Sequence, residues 1–441
     1  MRIFSLLLLM TVWLPGQQIR VATYNVAFDF PEERDLAAAL RDGTNTHAKR
    51  VAEVVQILKP DVLLLNEFDY DEFGTGATRM NDKFFNVSQG EGREPQNYPY
   101  RYVAISNTGI HSGFDLDNAN GIVSTPGSRQ YGGDAYGFGE FPGKYAMAVF
   151  SKFPIDVERV KTFEEVLWKD QPGNLLPTGF YSEEEQEIFR LSSKSHWDVP
   201  IEVNGRTFHF LVSHPTPPVF DGPEDRNGRR NHDEIRLWAD YLTEGANEYL
   251  GAGLPEDLRF VIAGDQNADP TQGDSVDQAI NQLLDHPRVN SSFTPERTGE
   301  GVSPSARFNT AQFNLRVDYV LPSKAGFEIK GGAVFWPSTG QDGANLVTVS
   351  DHRPVYLDLE LLPLTNEAVQ LLSIERNDWE VTLFWLAEEG VLYGIELSSD
   401  LTEGNWVGLF DPEIEIIDGV ASCTFLSSKE TAFARVTARA K

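Results

Sequence analysis

The stretch RFVIAGDQNADPT, residues 259–271, decides the class of fold. Its apolar run ends at a glycine, and Asp265 and Asn267 follow at once, two positions apart. A short apolar run that stops at glycine is typical of a buried strand. In folds that combine strands and helices, catalytic groups gather at strand ends, where the rigid backbone holds side chains on a common rim. The stretch therefore predicts a rim that presents a carboxylate beside a carboxamide.

The same pattern recurs along the chain, with a polar or acidic residue near the end of an apolar run. The residues at these predicted positions are Asn25, Glu67, His214, Asp265, Asn267, Asp318, Asp351 and His352. One such residue alone would be an ordinary turn residue. Their repeated placement at strand ends indicates one site assembled from distant parts of the chain.

The order of elements also indicates the fold class. Between residues 19 and 362, short apolar runs alternate with helical patterns, such as THAKRVAEVVQILKP at residues 46–60. This alternation predicts an α/β fold. Beyond residue 362 the helical patterns disappear, and alternating strands split by turn residues predict a small all-β domain at residues 368–441.

The first residues carry a different signal. One arginine precedes an apolar run that is too short to span a bilayer, and Pro-Gly follows, so residues 1–16 are predicted to be a signal peptide. A buried first strand is the alternative. We expect a secreted or periplasmic protein without a membrane span. The single cysteine, Cys423, excludes an intramolecular disulfide and a cysteine-based metal site.

The charge bears on the substrate. Lys and Arg number 37 against 66 Asp and Glu, which gives a formal net charge of −29. Proteins that hold nucleic acid usually present a basic face to the phosphates. We therefore expect no stable nucleic-acid complex, and small phosphorylated molecules are slightly favoured as substrates.

Seven motifs, taken together, resemble a known group of enzymes. They are YNVAF, DVLLLNEFD, YAMAVFSKFPI, LVSHPTPP, IAGDQNADP, RVDYVL and SDHRPV, in that order. The chain thus resembles the endonuclease/exonuclease/phosphatase superfamily, which contains DNase I-like nucleases, inositol polyphosphate 5-phosphatases and bacterial sphingomyelinases. The resemblance implies that residues 17–363 form a catalytic domain, a DNase I-like sandwich of two sheets flanked by helices.

The resemblance also implies a metal site. Glu67 is the expected primary ligand, with Asn25 and Asp351 beside it. Ligands that are all oxygen suit Mg²⁺, which keeps several waters and takes one or two carboxylates. Mg²⁺ is therefore the expected cofactor, with Mn²⁺ and Ca²⁺ as alternatives.

The catalytic roles follow from the same resemblance. Asp265 would orient and deprotonate the attacking water, and Asn267 would donate to the phosphate. His352 would bind or protonate a phosphate oxygen, with Asp318 fixing its tautomer. His214 is expected to act as a second acid near the leaving group. A histidine that only caps its loop is the alternative for His214.

Two basic stretches are candidates for substrate contact. In LSSKSHWDVPI, Lys194 and His196 alternate as on one face of a strand, and His196 is predicted to touch the substrate. A buried structural histidine is the alternative. Arg229 and Arg230 lie in a cluster near a predicted helix start and are predicted to capture an anion. Pairing with acidic residues along that helix is the alternative.

A long insert, residues 107–145, goes beyond the general pattern. Asp115, Asp117 and Asn118 are spaced like oxygen ligands of calcium. The glycine and the closing glutamate of an EF-hand loop are missing at the required offsets. A loop that lines the substrate cleft is therefore the favoured interpretation.

These observations predict a secreted, Mg²⁺-dependent phosphoesterase that hydrolyses phosphate mono- or diesters. An extracellular DNase I-like nuclease is the alternative. A binding module that has kept the fold and lost catalysis is a remote third hypothesis, because every member of the expected constellation is present.

Overall fold

The computed structural model describes residues 17–28, 30–33, 35–362, 371–377, 380–387, 391–398, 407–409, 412–417, 419–426 and 433–440. The predicted signal peptide, residues 1–16, lies outside the described residues. The chain divides into two compact units. The larger contains residues 19–324 and 329–359, and the smaller contains residues 360–441 with residues 1–18 and 325–328.

Two sheets form the framework that carries the predicted motifs. Their strands are β1 (Gln18–Asn25), β2 (Val62–Asn66), β3 (Tyr100–Tyr102), β4 (Met147–Ser151), β5 (Lys161–Thr162), β6 (His196–Val203), β7 (Arg206–Ser213), β8 (Phe260–Asp265), β9 (Asp318–Pro322), β10 (Phe327–Val334) and β11 (Val355–Leu361). One sheet has the order β10-β11-β1-β2-β4-β3, and the other has the order β5-β6-β7-β8-β9. The prediction of a two-sheet α/β fold is confirmed.

Helices accompany these sheets. They are α1 (Asp35–Ala39), α2 (Thr46–Leu58), α3 (Thr75–Met80), α4 (Arg129–Gly133), α5 (Glu183–Gln186), α6 (Arg226–Tyr241) and α7 (Asn281–Leu284). Shorter helical turns are Asn81–Phe85, Val157–Arg159, Trp168–Asp170, Glu248–Leu250, Val276–Gln278 and Ala344–Leu346.

Helix α2 shows how sequence sets these elements. The Asn45 side chain caps its start by accepting from the Ala48 N–H, and Lys59 ends it in a left-handed conformation before Pro60. Its buried face, which includes Val51 and Val55, joins the core cluster on the first sheet. A second core cluster, around Trp168 and Trp238, lies on the second sheet.

Strand direction places the predicted site residues together. Strands β1 and β2 are parallel, as are β7 and β8, so each pair ends on one rim of its sheet. Strand β9 runs antiparallel to β8, and Asp318 at its start lies opposite Asp265 at the end of β8. The two sheets meet where the Asp265 N–H donates to Asn66 Oδ1 over 3.3 Å. One rim therefore collects residues from both sheets.

Gly264 permits the close packing of β7 and β8 at that rim. Its φ is 150°, and a Cβ at this position would lie 1.9 Å from the Ser213 carbonyl oxygen. Only glycine therefore fits between the end of β7 and Asp265.

The smaller unit is built from antiparallel strands. They are β12 (Leu371–Asn377), β13 (Glu380–Leu386), β14 (Val391–Ser398), β15 (Val407–Gly408), β16 (Ile414–Ile417), β17 (Val420–Leu426) and β18 (Phe433–Ala440). They form two sheets, with the orders β12-β13-β17-β16 and β15-β14-β18. Its small core contains Trp385 and Cys423, and Cys423 is a free, buried thiol. The predicted all-β character of this region is confirmed.

None of the helices in the described part of the chain combines the length and the apolar character needed to cross a bilayer.

Candidate active site

Asp265 lies at the centre of the rim. Its Oδ1 accepts the Asn267 N–H over 3.0 Å, and this bond fixes the carboxylate at the end of β8. Its Oδ2 lies 3.1 Å from Asn25 Nδ2, 3.5 Å from His214 Nε2 and 3.6 Å from His352 Nε2. One carboxylate oxygen at the end of β8 therefore lies close to three residues, which come from the end of β1, the segment after β7 and the segment before β11.

The pKa of Asp265 reflects this crowding. Burial raises its pKa to about 7, and the nearby charge of Asp318 adds to the effect, whereas the His352 charge and the Asn25 hydrogen bond oppose it. A carboxylate with a pKa near neutrality has the basicity of a general base at that pH.

His352 is held by two carboxylates. Its Nδ1 lies 2.9 Å from Asp318 Oδ2, and its Nε2 faces Asp265. Burial alone would lower the pKa of His352, but the charges of Asp318 and Asp265 outweigh burial and raise the pKa to about 10. The ring is therefore protonated at neutral pH, and both of its nitrogens are donors. The sequence predicted that Asp318 fixes the tautomer of His352; the contact is present, but a ring protonated on both nitrogens has no tautomer, so Asp318 instead orients and charge-stabilises the imidazolium.

His214 has a different environment. It is buried, and its Nδ1 has no hydrogen-bond partner among the described residues. Burial, with the charges of Lys194 and His352, lowers the pKa of His214 well below its ordinary value. The imidazole is therefore neutral. Because Nε2 faces the Asp265 carboxylate, the single proton is favoured on Nε2.

Glu67 and Lys194 form the charged wall of the same site. Glu67 follows β2 with a φ of 55°, and its Oε1 accepts from Asn25 Nδ2 over 3.0 Å. Burial raises the pKa of Glu67, while Asn25, His352 and Lys194 counteract that effect. Lys194 is buried, and burial lowers its pKa although Glu234, Glu67 and Asp265 lie close enough to favour its charge.

Glu234 fixes the two loops that carry Lys194 and His214. It is fully buried on α6, and its two carboxylate oxygens accept the Ser193 N–H over 2.5 Å and the Thr216 N–H over 2.6 Å. One side chain thus ties the segment before β6 to the segment after β7. Glu234 is a positioning residue, since it acts through the groups it holds.

A cavity of about 730 Å³ opens beside these residues. Glu67, Lys194, His214 and Asp351 line the part of it that we call the inner end, where neighbouring members influence one another's charge. Its remaining walls come from the insert at residues 107–145, from the segments that flank α5, from the loop after β7 and from the start of α6. They include Leu116, Asp117, Arg129, Phe138, Tyr181, Phe189, Phe220, Arg226 and Arg230. The insert therefore lines the cavity, which agrees with the interpretation favoured from the sequence.

Asn25 has a different role from the predicted one. Its Oδ1 accepts the Ala27 N–H over 3.1 Å, and its Nδ2 donates to Glu67 and to Asp265. The amide nitrogen, rather than the oxygen, faces the carboxylates. Asn25 therefore bridges Glu67 and Asp265, and its prediction as a metal ligand is corrected to that of a hydrogen-bond donor.

Asn267 and Asp351 lie at the rim as expected. Asn267 has a φ of 53°, and its Nδ2 donates to the Pro215 carbonyl over 3.1 Å, which leaves its second amide hydrogen for another acceptor. Asp351 lines the cavity together with Glu67. Glu67 and Asn267 both adopt the left-handed backbone conformation, which is strained for residues other than glycine. Such strain is common at functional sites.

His196 is not a substrate contact. Its side chain is buried, its Nδ1 is hydrogen-bonded to Ser192 Oγ, and its Nε2 donates to the Glu234 carbonyl over 2.9 Å. Burial lowers the pKa of His196 to about 3. Both ring nitrogens are engaged inside the protein, so this prediction is wrong and the structural alternative is right.

The two arginines predicted to capture an anion are also engaged. Arg229 donates from Nε to the Glu224 carbonyl over 3.1 Å. Arg230 lines the cavity, but its guanidinium donates to the backbone carbonyls of Leu191, Tyr136 and Arg190. These hydrogen bonds hold local backbone, whereas Lys194 lines the cavity near the Glu67 and Asp265 carboxylates.

The donor set fits a divalent cation. Four carboxylates, those of Glu67, Asp265, Asp318 and Asp351, lie around two cationic groups, His352 and Lys194. Ligand atoms of Asp265, Asp318 and His352 lie within 4.8 Å of one another, although His352, when protonated on both ring nitrogens, offers no lone pair to a metal ion. Within the described residues, Asp318 Oδ1 is buried without a hydrogen-bond partner. This excess of buried negative charge and the oxygen-rich chemistry suggest a divalent metal ion at the rim.

Comparison with known proteins gives the following matches. A sequence profile of the "Endonuclease/Exonuclease/phosphatase family" matches residues 22–352. A search of curated proteins found no match.

Three similar solved structures illustrate the structural matches. An endonuclease/exonuclease/phosphatase from Beutenbergia cavernae is 17% identical, with a TM-score of 0.43, covering 96% of this chain and 99% of that chain. Sphingomyelinase C from Streptomyces griseocarneus is 18% identical, with a TM-score of 0.41 and coverage of 78% and 99%. A beta toxin from Staphylococcus aureus, solved with bound magnesium ions, is 14% identical, with a TM-score of 0.40 and coverage of 78% and 99%.

Proposed function

Since this chain belongs to the endonuclease/exonuclease/phosphatase family, we propose that it is a secreted, Mg²⁺-dependent hydrolase of small phosphate mono- or diesters. The observation that carries the proposal is the convergence of Asn25, His214 and His352 on Asp265 Oδ2, beside a cavity lined by Glu67 and Asp351. Export rests on the apolar run in residues 1–16 of the sequence.

Glu67 and Asp351 would hold the metal ion, because both carboxylates line the inner end of the cavity. When bound there, Mg²⁺ supplies positive charge that stabilises the phosphoryl oxygens in the transition state. Asn25 keeps the Glu67 and Asp265 carboxylates in place through two hydrogen bonds from one amide group.

Asp265 acts on the water. Its Oδ1 is occupied by the Asn267 N–H, so Oδ2 is the oxygen that faces the reacting groups. Oδ2 accepts a proton from the water as that water attacks phosphorus, and the P–O bond to the leaving alcohol breaks. Since the pKa of Asp265 is raised to about 7, the carboxylate is basic enough to take this proton near neutral pH.

His352, Lys194 and His214 serve the phosphate and the leaving group. The protonated His352 donates from Nε2 to a phosphoryl oxygen, and the Lys194 side chain, which lines the cavity near Glu67 and Asp265, adds positive charge. Fixed donors aimed at developing charge account for a large part of catalysis in such reactions. His214, neutral and protonated on Nε2, stabilises the leaving oxygen with a hydrogen bond rather than acting as an acid. The leaving group departs as an alkoxide and takes its proton from water.

The shape and charge of the site support a small substrate. A volume of about 730 Å³ falls in the range usual for small-molecule pockets. The net charge of −29 opposes binding of a long polyanion. Aromatic and apolar side chains, among them Leu116, Phe138 and Phe189, line the cavity beyond the inner end and favour an alcohol leaving group with apolar surface.

One substrate panel tests the proposal. The purified chain is assayed with bis-p-nitrophenyl phosphate, p-nitrophenyl phosphate, sphingomyelin and plasmid DNA, each with Mg²⁺ and with EDTA, and Asp265→Asn serves as the inactive control. We expect EDTA-sensitive hydrolysis of at least one small phosphoester at a higher kcat/KM than that for DNA. Faster cleavage of plasmid DNA would support the nuclease alternative. Absence of turnover on every substrate with Mg²⁺, Mn²⁺ or Ca²⁺ would contradict the enzymatic proposal.

A further inference from the structure

Three carboxylates come together in the insert, and none of them belongs to the residues assigned to the catalytic rim. Asp115 and Asp117 lie in the loop before α4, and Asp134 directly follows that helix. Each contributes an oxygen to a group whose atoms all lie within 4.8 Å of one another. The local spacing of Asp115 and Asp117 is visible in the sequence, whereas the third carboxylate is supplied by folding of the insert.

Asp134 is the buried member of this cluster. Its side chain is 1% exposed, and its Oδ2 accepts the Val123 N–H over 2.6 Å. Its Oδ1 is buried and has no hydrogen-bond partner in the described part of the chain. A buried carboxylate oxygen without a partner is costly, and two further carboxylates nearby add repulsion. The arrangement has the charge and the open oxygen that a cation would satisfy.

The backbone holds the other two carboxylates in place. Asp115 Oδ2 accepts the Gly121 N–H over 2.9 Å, and Asp117 Oδ1 accepts the Ala119 N–H over 3.0 Å. Gly133 leaves room for Asp117, because a Cβ on Gly133 would lie 2.2 Å from Asp117 Oδ2. The loop and the end of α4 therefore approach each other at the carboxylates.

We propose that Asp115, Asp117 and Asp134 bind one Ca²⁺ ion, separate from the catalytic metal. Calcium suits the cluster because it accepts oxygen ligands in irregular geometry and completes its shell with carbonyls and water. Asn118, a candidate ligand from the sequence, is directed elsewhere, since its Nδ2 donates to the Phe180 carbonyl over 3.0 Å.

The position of the site gives the ion a consequence for the substrate cavity. Asp117 and Gly133 both line that cavity, so an ion that joins the loop to the end of α4 fixes part of the cavity wall. Bound Ca²⁺ therefore stabilises the insert in the conformation that shapes the outer part of the cleft.

Calorimetric titration of the full chain tests the proposal. The catalytic site is first disabled with the double substitution Glu67→Gln and Asp351→Asn, and the metal-stripped protein is titrated with CaCl₂. We expect this protein to bind one Ca²⁺ per chain. Adding Asp134→Asn should weaken that binding about tenfold or more, because affinity follows the charge count of the ligands.

Two further variants guard against misfolding and nonspecific charge effects. Gly133→Ala leaves all three carboxylates in place but pushes a methyl group against Asp117, and it should also weaken Ca²⁺ binding. Asp42→Asn removes a loop carboxylate that likewise accepts a backbone N–H, from Thr44, and should leave the affinity unchanged. Far-UV circular dichroism confirms that each variant is folded.

The outcomes are distinct. Absence of Ca²⁺ binding in the disabled protein, or an unchanged affinity in a folded Asp134→Asn variant, would overturn the proposal. Because the readout is binding to a catalytically disabled chain, it does not depend on whether the proposed phosphoesterase activity is found.

Discussion

His352 Nε2 lies 3.6 Å from Asp265 Oδ2, so that a protonated imidazole faces the carboxylate we assign as the base. Asp265 ends β8 in one sheet, His352 precedes β11 of the other sheet, and each side chain alters the protonation of the other. Their relationship yields predictions for stability as well as for rate.

Replacing Asp265 with Asn should separate rate from stability. Turnover should fall by about 10²- to 10⁴-fold, the usual contribution of a general base. The folded-state pKa of Asp265 is raised from 3.8 to about 7, so the ionised carboxylate destabilises the metal-free fold increasingly from pH 3.8 to pH 7 and fully above it. In EDTA at pH 8, Asp265→Asn should therefore melt at the same temperature as the wild type or higher. Full activity in this variant would contradict the assigned role.

His352 should also make the stability of the metal-free protein fall as pH rises, but over a higher pH window than Asp265. Its folded-state pKa of about 10 exceeds the ordinary value of 6.5, so its contribution is fully present below pH 6.5 and is lost as pH rises to about 10. The difference in the free energy of unfolding between wild type and His352→Gln should shrink over this window. Urea denaturation in EDTA at pH 6, 8 and 10 measures it, and a constant difference would argue against a charged imidazole.

Lys194 and His196 should behave differently although only one residue separates them. Lys194→Met removes a cation from the inner end of the cavity and should lower kcat/KM by about 10²-fold, as the loss of one fixed donor commonly does. His196→Asn breaks buried hydrogen bonds and should lower the melting temperature, with a far smaller effect on kcat/KM. Steady-state kinetics and thermal unfolding of both variants check this contrast; the reverse pattern would restore the original sequence prediction.

Glu234 should matter for rate although it is too deep to touch the substrate. Glu234→Ala leaves two buried backbone N–H groups unpaired and should cost about 3 kcal/mol of stability. In the more conservative Glu234→Gln variant, the single amide oxygen replaces only one of the two carboxylate oxygens that accept the Ser193 and Thr216 N–H groups. This variant should stay folded and show a lower kcat, because Lys194 and His214 are no longer held together. A folded Glu234→Gln protein with wild-type kcat and KM would show that the clamp is only structural.

Much of the fold and rim could be predicted because their signals are local. Asn25, Glu67 and Asp265 each end or directly follow an apolar run, and parallel pairing then brings such ends to one edge. The pairing of His352 with Asp318 followed from a resemblance that spans both motifs, and the structure places them 2.9 Å apart.

The errors have physical causes. Strand alternation predicts that Lys194 and His196 lie on the same face. However, β6 begins only at His196, so Lys194 lies outside the strand, and it lines the cavity whereas His196 does not. The orientation of the Asn25 amide depends on the Ala27 N–H, which sequence spacing does not reveal. Asp134 joins Asp115 and Asp117 through folding of the insert, which no local pattern predicts.

Gly264 has an implication for redesign. Because Gly264 has no Cβ, the segments that carry His214 and Asp265 can lie side by side. A library that randomises positions around the cleft to change specificity should keep this glycine fixed. Even Gly264→Ala would displace both His214 and Asp265. The resulting loss of turnover could then be mistaken for evidence that Gly264 takes part in the chemistry, which it does not.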